Sequence, residues 1–163
     1  MANSSLSVAQ VLDLLAATPA RLATVSDRLT PEQLRTAPAP DEWSAVDVLA
    51  HLRSCADVWG DSMRRIVTED GPTLRAINPR TWIKRTNYRE LEFRPSLAAF
   101  AAQRAELLAA LEHLSPEDWS RSATVTGAGR VLERTVWFYG QWLASHERPH
   151  VRQIERLVDA LRA

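Results

Sequence analysis

Apolar residues recur every three or four positions over four long stretches of the chain, the period of helices with one buried face. Val8, Val11, Leu12 and Leu15 open the first stretch, and the phase continues through Leu22, Val25 and Leu29. The spacing predicts a helix beginning near Ser5 or Ser7. Pro19 falls inside it, and because the phase survives the proline, one kinked helix is expected rather than two. Val48, Leu52, Cys55, Trp59, Met63 and Ile66 form the second stripe. Ser44 is placed to cap that helix, with Asp47 three residues on as its capping-box partner. Gly71-Pro72 should lie beyond its end. The third stripe runs from Pro95 through Leu97, Phe100, Ala101, Leu107, Leu108, Leu111 and Leu114, with Arg104 its one polar member. The fourth spans about Val131 to Leu161 and keeps Leu132, Val136, Tyr139, Leu143, His146, His150, Ile154, Leu157 and Leu161 in phase.

The segments between carry start and break signals. Thr30-Pro31-Glu32-Gln33 reads as a short capped helix, and Ser115-Pro116-Glu117-Asp118-Trp119 repeats the pattern. Ala37-Pro38-Ala39-Pro40 forces an extended connection. Gly127 and Gly129 mark a loop. Residues 70–94 are the least regular, and roughly 25 residues is long for a connection in a compact domain. It becomes reasonable if it travels the length of a bundle, making the second and third helices parallel. The expectation is an all-α, four-helix bundle with a long crossover between helices 2 and 3, as one domain over residues 1–163. Strand-like alternation is rare, so no sheet is expected.

Composition narrows the function classes. The 163 residues include 20 basic and 20 acidic side chains, and all the basic ones but Lys84 are arginine. This balance argues against binding nucleic acid or a membrane surface by bulk charge. Cys55 is the only cysteine, so no intrachain disulfide forms, which fits a reducing compartment. Met-Ala-Asn-Ser-Ser lacks the start of a secretory leader. No apolar run approaches the roughly 18 residues of a spanning helix. A cytoplasmic protein acting on small molecules is the expectation.

The candidate chemistry is histidine. His146 and His150 are four apart on the fourth stripe, and His51 lies between Val48 and Cys55 on the second. His113 falls off the best apolar line. Two neutral imidazoles in one buried stripe are costly unless something binds both. With His51 they make a three-histidine set, the pattern of a catalytic zinc site with an open position, and imidazole also suits nickel and iron. Cys55, one turn after His51, is either a fourth ligand or a small buried hydrophobe, the second being commoner. His146-Glu147-Arg148-Pro149-His150 matches the metalloprotease string His-Glu-x-x-His. The context does not: there is no third ligand downstream and no substrate strand upstream. Glu147 is read as a general base, a partner of a ligand or an exposed surface residue, the last two preferred. Pro149 leaves the carbonyl of Ser145 without its helical partner, and either simply kinks the helix or aims the two histidines.

Glu42-Trp43-Ser44-Ala45-Val46-Asp47-Val48-Leu49-Ala50-His51-Leu52, joined to His146-Glu147-Arg148-Pro149-His150-Val151-Arg152-Gln153-Ile154, resembles the DinB-like superfamily. That group includes YfiT-type metal-dependent hydrolases and mycothiol- or bacillithiol-dependent enzymes. Thr18-Pro19-Ala20-Arg21-Leu22 and Leu29-Thr30-Pro31-Glu32-Gln33-Leu34 resemble its first segment, so the likeness runs from about Ser7 to Ala160. The resemblance implies a four-helix bundle with the long crossover, a divalent metal held by His51, His146 and His150, and a homodimer. Zinc or nickel would be the first metals to test, then iron or manganese. A thiol-dependent transferase acting on a small electrophile, with a low-molecular-weight thiol as co-substrate, is the expected activity. The alternatives are a metal-dependent hydrolase and a non-enzymatic metal-binding or dimerising stress-response bundle. The segment Asp70–Arg94 is the expected place of substrate specificity.

Overall fold

A computed structural model describes residues 5–162. Residues 1–4, on which part of the reading of the N-terminus rests, lie outside the described residues. The elements are α1 (Val8–Ser26), α2 (Pro31–Arg35), α3 (Ala45–Thr68), β1 (Thr73–Arg75), α4 (Pro79–Trp82), α5 (Phe93–Leu111), α6 (Pro116–Trp119), β2 (Ser122–Thr126), β3 (Leu132–Thr135) and α7 (Val136–Arg162). Two 3-10 turns, Ile83–Arg85 and Tyr88–Glu90, lie between α4 and α5.

Local chemistry sets most of these boundaries. Capping boxes start α1 at Ser7 with Gln10, α2 at Thr30 with Gln33, α3 at Ser44 with Asp47 and α6 at Ser115 with Asp118. In each, the hydroxyl accepts an otherwise orphaned first-turn N–H, and the third side chain returns to the cap's own N–H. α1 passes through Pro19 as one helix, as the surviving phase predicts. α5 begins at Phe93, two residues before Pro95, because a proline in a first turn removes a donor that has no intrahelical partner anyway. By length and composition alone, α1 is apolar enough to cross a membrane, contrary to the expectation of no such run. In the fold its Val11, Leu15 and Leu22 are fully buried against the bundle, and Asp13 and Arg21 are exposed on its outer side.

The bundle is built by the contacts α3–α7, α1–α7, α1–α5 and α3–α5. Side-chain pairs give the directions. Arg53 donates to Ser96 (3.0 Å) and Gln103 to Asp57 (2.7 Å), so the numbering of α3 and α5 rises together and they run parallel. Trp59 meets Trp142 while His51 meets His150, so α3 and α7 are antiparallel. This is the expected four-helix bundle with its crossover between α3 and α5. The crossover is more ordered than the sequence implies, because Asp57 of α3 anchors it. That carboxylate accepts from Trp82 Nε1 (3.0 Å) and the Tyr88 hydroxyl (2.6 Å), and the Arg53 guanidinium sits 3.8 Å over the Tyr88 ring.

A three-stranded sheet closes one end of the bundle, and the helical reading misses it. β1 pairs parallel with β2, Thr73 opposite Thr124, and β2 pairs antiparallel with β3, Ser122 opposite Thr135. Leu74, Ala123 and Val125 face the core, and Gly127 and Gly129 take positive φ (85° and 84°) in the hairpin loop. α7 therefore begins at Val136 rather than Val131. Leu132 lies four residues before Val136 and mimics the helical phase while belonging to a strand.

The third and fourth helices meet at a buried ion pair. Arg104, 2% exposed, grips Glu147, 1% exposed, with both terminal nitrogens, one at 2.9 Å, and also donates to the carbonyl of Leu15 (2.8 Å). Three helices are thereby tied at one guanidinium. Arg104 Nε is left without a partner among the described residues. The expected surface or ligand-partner position of Glu147 is thus corrected: the buried stripe of α7 is Leu143, Glu147, Val151, Ile154 and Val158. Removing one member of such a pair strands the other charge in the core, at about 3–5 kcal/mol. Glu147→Ala is expected to lower unfolding free energy by that amount in urea titration, and Arg104→Met with Glu147→Leu to lower it by much less. Equal losses in the two proteins would refute a stranded charge as the cause.

Candidate functional site

Placing Glu147 inward sets His146 and His150 on one flank of α7, facing α3. There they meet His51, which is 4% exposed. The ring centroids lie 5.2 Å apart for His51–His146, 4.8 Å for His51–His150 and 4.8 Å for His146–His150. The structure thus brings together all three histidines singled out in the sequence. It leaves His113 exposed beyond the end of α5. Nε2 of His51 and Nε2 of His146 are 3.0 Å apart. Cys55 Sγ is 3.6 Å from the same His51 nitrogen. The donor atoms of His51, Cys55 and His146 all lie within 4.8 Å of one another.

Neighbouring side chains fix the rings. Gln153 Oε1 lies 2.9 Å from His150 Nδ1. An amide oxygen accepts, so this contact pairs it with an Nδ1–H and leaves the other ring nitrogen, Nε2, turned away from Gln153. Trp43 stacks on His150 at 6.4 Å with 13° between the planes, and tilts against His51 at 5.3 Å. Trp59 meets His146 edge to face at 5.2 Å. Trp142, half exposed, stacks on Phe138 and continues this aromatic wall towards solvent. Arg80, from the crossover, places its guanidinium 5.7 Å over Trp43. Trp43, Arg80, His150 and Gln153 border a cleft of about 630 Å³ that also takes in Asp41, Glu42 and Arg156.

The electrostatics hold two of the rings, His51 and His146, neutral. Burial, followed by repulsion from His150, His146 and Arg80, lowers the His51 pKa from 6.5 to about 4. Burial, then His150 and Arg80, does the same to His146, also to about 4. Both rings therefore offer lone pairs at neutral pH. Burial, then the nearby Glu147 charge, pushes the Cys55 thiol up to about 12. Pro149 is exposed, as are Ser145 and Arg148, and α7 runs unbroken through it. The lost hydrogen bond falls on the solvent side, where water can serve the Ser145 carbonyl.

Sequence reasoning misses Arg80 and the contact of Gln153 with His150; it does place Cys55 one turn from His51, and the structure adds His146 to that pair. For Gln153 a signal exists, being three residues after His150 and hence on the same helix face. For Arg80 there is none, since its approach depends on the path of the crossover. In the unfolded chain the two imidazoles take protons below their ordinary pKa of 6.5, whereas in the fold they resist until about 4. The unfolded state thus binds more protons in that window, and stability falls as pH falls through it. Chelator-treated protein is expected to lose denaturant midpoint between pH 6.5 and 4 more steeply than a His51→Ala/His146→Ala double variant. Identical slopes would refute the assignment.

Comparison with known proteins fits this architecture. A protein of Geobacillus kaustophilus, named provisionally as a metal-dependent hydrolase, is 29% identical over 145 residues, which cover 85% of this chain and 77% of that protein. Among solved structures, YfiT from Bacillus subtilis, described as a probable metal-dependent hydrolase with an unusual four-helix bundle topology, superposes with a TM-score of 0.77 at 20% identity. That match covers 96% of this chain and 90% of YfiT, and it shows a shared fold. The family model described as the DinB superfamily matches residues 14–154, so by sequence as well as by its bundle the chain belongs to the DinB superfamily.

Proposed function

We propose that this chain is a metal-dependent hydrolase of a small electrophilic substrate, with a divalent ion held by His51, His146 and His150. The observation that carries the reading is the convergence of three imidazoles from two helices beside an open cleft, two of them within 3.0 Å at their Nε2 atoms. The donor set fits such an ion. His51 and His146 are kept unprotonated, Gln153 orients the His150 ring through its Nδ1, and imidazole nitrogen suits zinc and nickel. A bound ion of this kind supplies Lewis acidity and lowers the pKa of bound water or of a small thiol.

The chain's own groups do the rest. Trp43 and Trp59 pack on the imidazoles and hold their planes. Arg80 and Arg156 on the cleft bring positive charge to a substrate that carries a carboxylate or another anionic group. Asp41 and Glu42, on the same cleft, stand ready for a cationic one. The provisional names of the relatives support water as nucleophile. A low-molecular-weight thiol in its place gives the transferase version expected from the family resemblance, and the same assay separates the two.

Untagged protein, purified without a nickel column, is expected to contain about one zinc or nickel per chain by elemental analysis, reading the three-histidine set as one site. A panel of esters, lactones and amides, run with and without added thiols and metal, should show metal-dependent turnover. His146→Ala should lower metal affinity by more than the roughly 10–100-fold typical of losing an outer-shell partner. Unchanged metal uptake in His146→Ala would sink the reading. Turnover only with thiol present would move it to the transferase.

A further inference from the structure

Of the two readings the sequence leaves for Cys55, a fourth ligand or a small hydrophobe, its contacts with the histidines favour the first. It is fully buried on the face of α3 that carries His51, with Sγ 3.6 Å from His51 Nε2. The same nitrogen lies 3.0 Å from His146 Nε2. One imidazole nitrogen has a single in-plane position, either a proton or a lone pair. His51 Nε2 cannot serve two neighbours well with it. An ion at the centre resolves the conflict, because each of the three atoms then points its own lone pair at one place.

Two of the three donor distances agree with that arrangement, and the third, between Cys55 and His146, lies within 4.8 Å. Metal–nitrogen bonds of about 2.0–2.1 Å and metal–sulfur bonds of about 2.3 Å put tetrahedral donors about 3.3 Å apart for two nitrogens and about 3.5 Å for nitrogen and sulfur. The observed separations of 3.0 and 3.6 Å fall within a few tenths of these. Among the described residues, the donor atoms of His51, Cys55 and His146 lie close enough together to hold one ion. His150 reaches it from the cleft side, with its ring 4.8 Å from each of the other two.

We propose that Cys55 is a metal ligand, making the centre a mixed set of imidazole nitrogens and one thiolate rather than histidines alone. This rests on the metal reading above and sharpens it. On metal entry the thiol proton leaves to solvent and the sulfur lone pair forms the new bond. A thiolate neutralises part of the ion's charge and softens the site, which favours zinc over manganese. Where Cys55 and the histidines all bind, the water or substrate of the proposed reaction would take a fifth position, an expansion that catalytic zinc allows.

Cobalt(II) is the probe, because its visible d–d bands report a tetrahedral site and a near-ultraviolet charge-transfer band reports sulfur bound to it. Metal-free wild-type protein titrated with cobalt is expected to develop both. Cys55→Ala, a change from one small buried apolar side chain to another, should keep the visible bands and lose the ultraviolet one. Its cobalt affinity should drop at least about tenfold, the lower end of what even outer-shell partners contribute. Visible bands without the charge-transfer band in the wild type would overturn the ligation of Cys55 and leave the histidine site standing. No cobalt bands in the wild type would overturn the metal site itself, and the ligation of Cys55 with it. The wild-type spectrum decides between these even if the variant fails to fold.

Discussion

Glu147 takes a position in α7 that a leucine or valine would ordinarily fill, and Arg104 reaches across from α5 to meet it. Taking two charges out of water is costly, and only close, multiply bonded geometry offsets it. Here both terminal guanidinium nitrogens meet the carboxylate, and one also meets the Leu15 carbonyl of α1. This fixes more than the distance between helices, because it sets the rotation of α7 about its own axis. At about 100° per residue, His146 and His150 then fall within about 40° of one another on a single flank. That flank is the one facing α3 and His51. A rotation that brought either histidine into the centre of the core would pull Glu147 away from the buried guanidinium of Arg104.

The site inherits its chemistry from this placement. His51 is buried and His146 half-buried, so both resist protonation, and the neighbouring His150 adds to the cost of charging either. The cationic Arg80 deepens the effect from the crossover side. Rings crowded in this way, neutral and with nitrogens facing nitrogens and a sulfur, are poor partners for one another. They are good donors to a cation. Tryptophans on two sides hold the ring planes and limit the access of water, while the cleft beside His150 leaves one approach open.

The crossover serves structure and site together. A parallel pair such as α3 and α5 cannot be joined by a tight turn, so the chain must travel the bundle length between them. Asp57 gathers donors from Trp82, Tyr88 and Gln103 and ties that passage to both helices. The same passage contributes β1 to the end sheet and delivers Arg80 to the histidines. Its short elements come from prolines and polar caps rather than from an apolar stripe, with Asn78 capping α4 through the N–H of Arg80.

Much of this was written in the chain itself. Four apolar stripes and four capping boxes are local signals, and they suffice for the bundle, the starts of α1, α2, α3 and α6, and the unbroken passage of α1 through Pro19. The pairing of His146 with His150 is equally local, since four residues is one helical turn. The end sheet escaped because its strands are short, and Leu132 kept a helical phase by coincidence with Val136; the alternation in Ser122–Thr126 was the available sign. Tertiary structure alone decided which face of α7 points inward. Arg104 marked itself as a lone polar residue on an apolar stripe, but nothing in sequence says that its partner is Glu147, 43 positions on. The contact of Cys55 with His51 is local to α3, but the arrival of His146 beside them depends on that same rotation of α7. The sequence determines which residues share a helix face, because the backbone period is fixed. Which faces meet is settled by burial, and burial is a property of the whole assembled bundle.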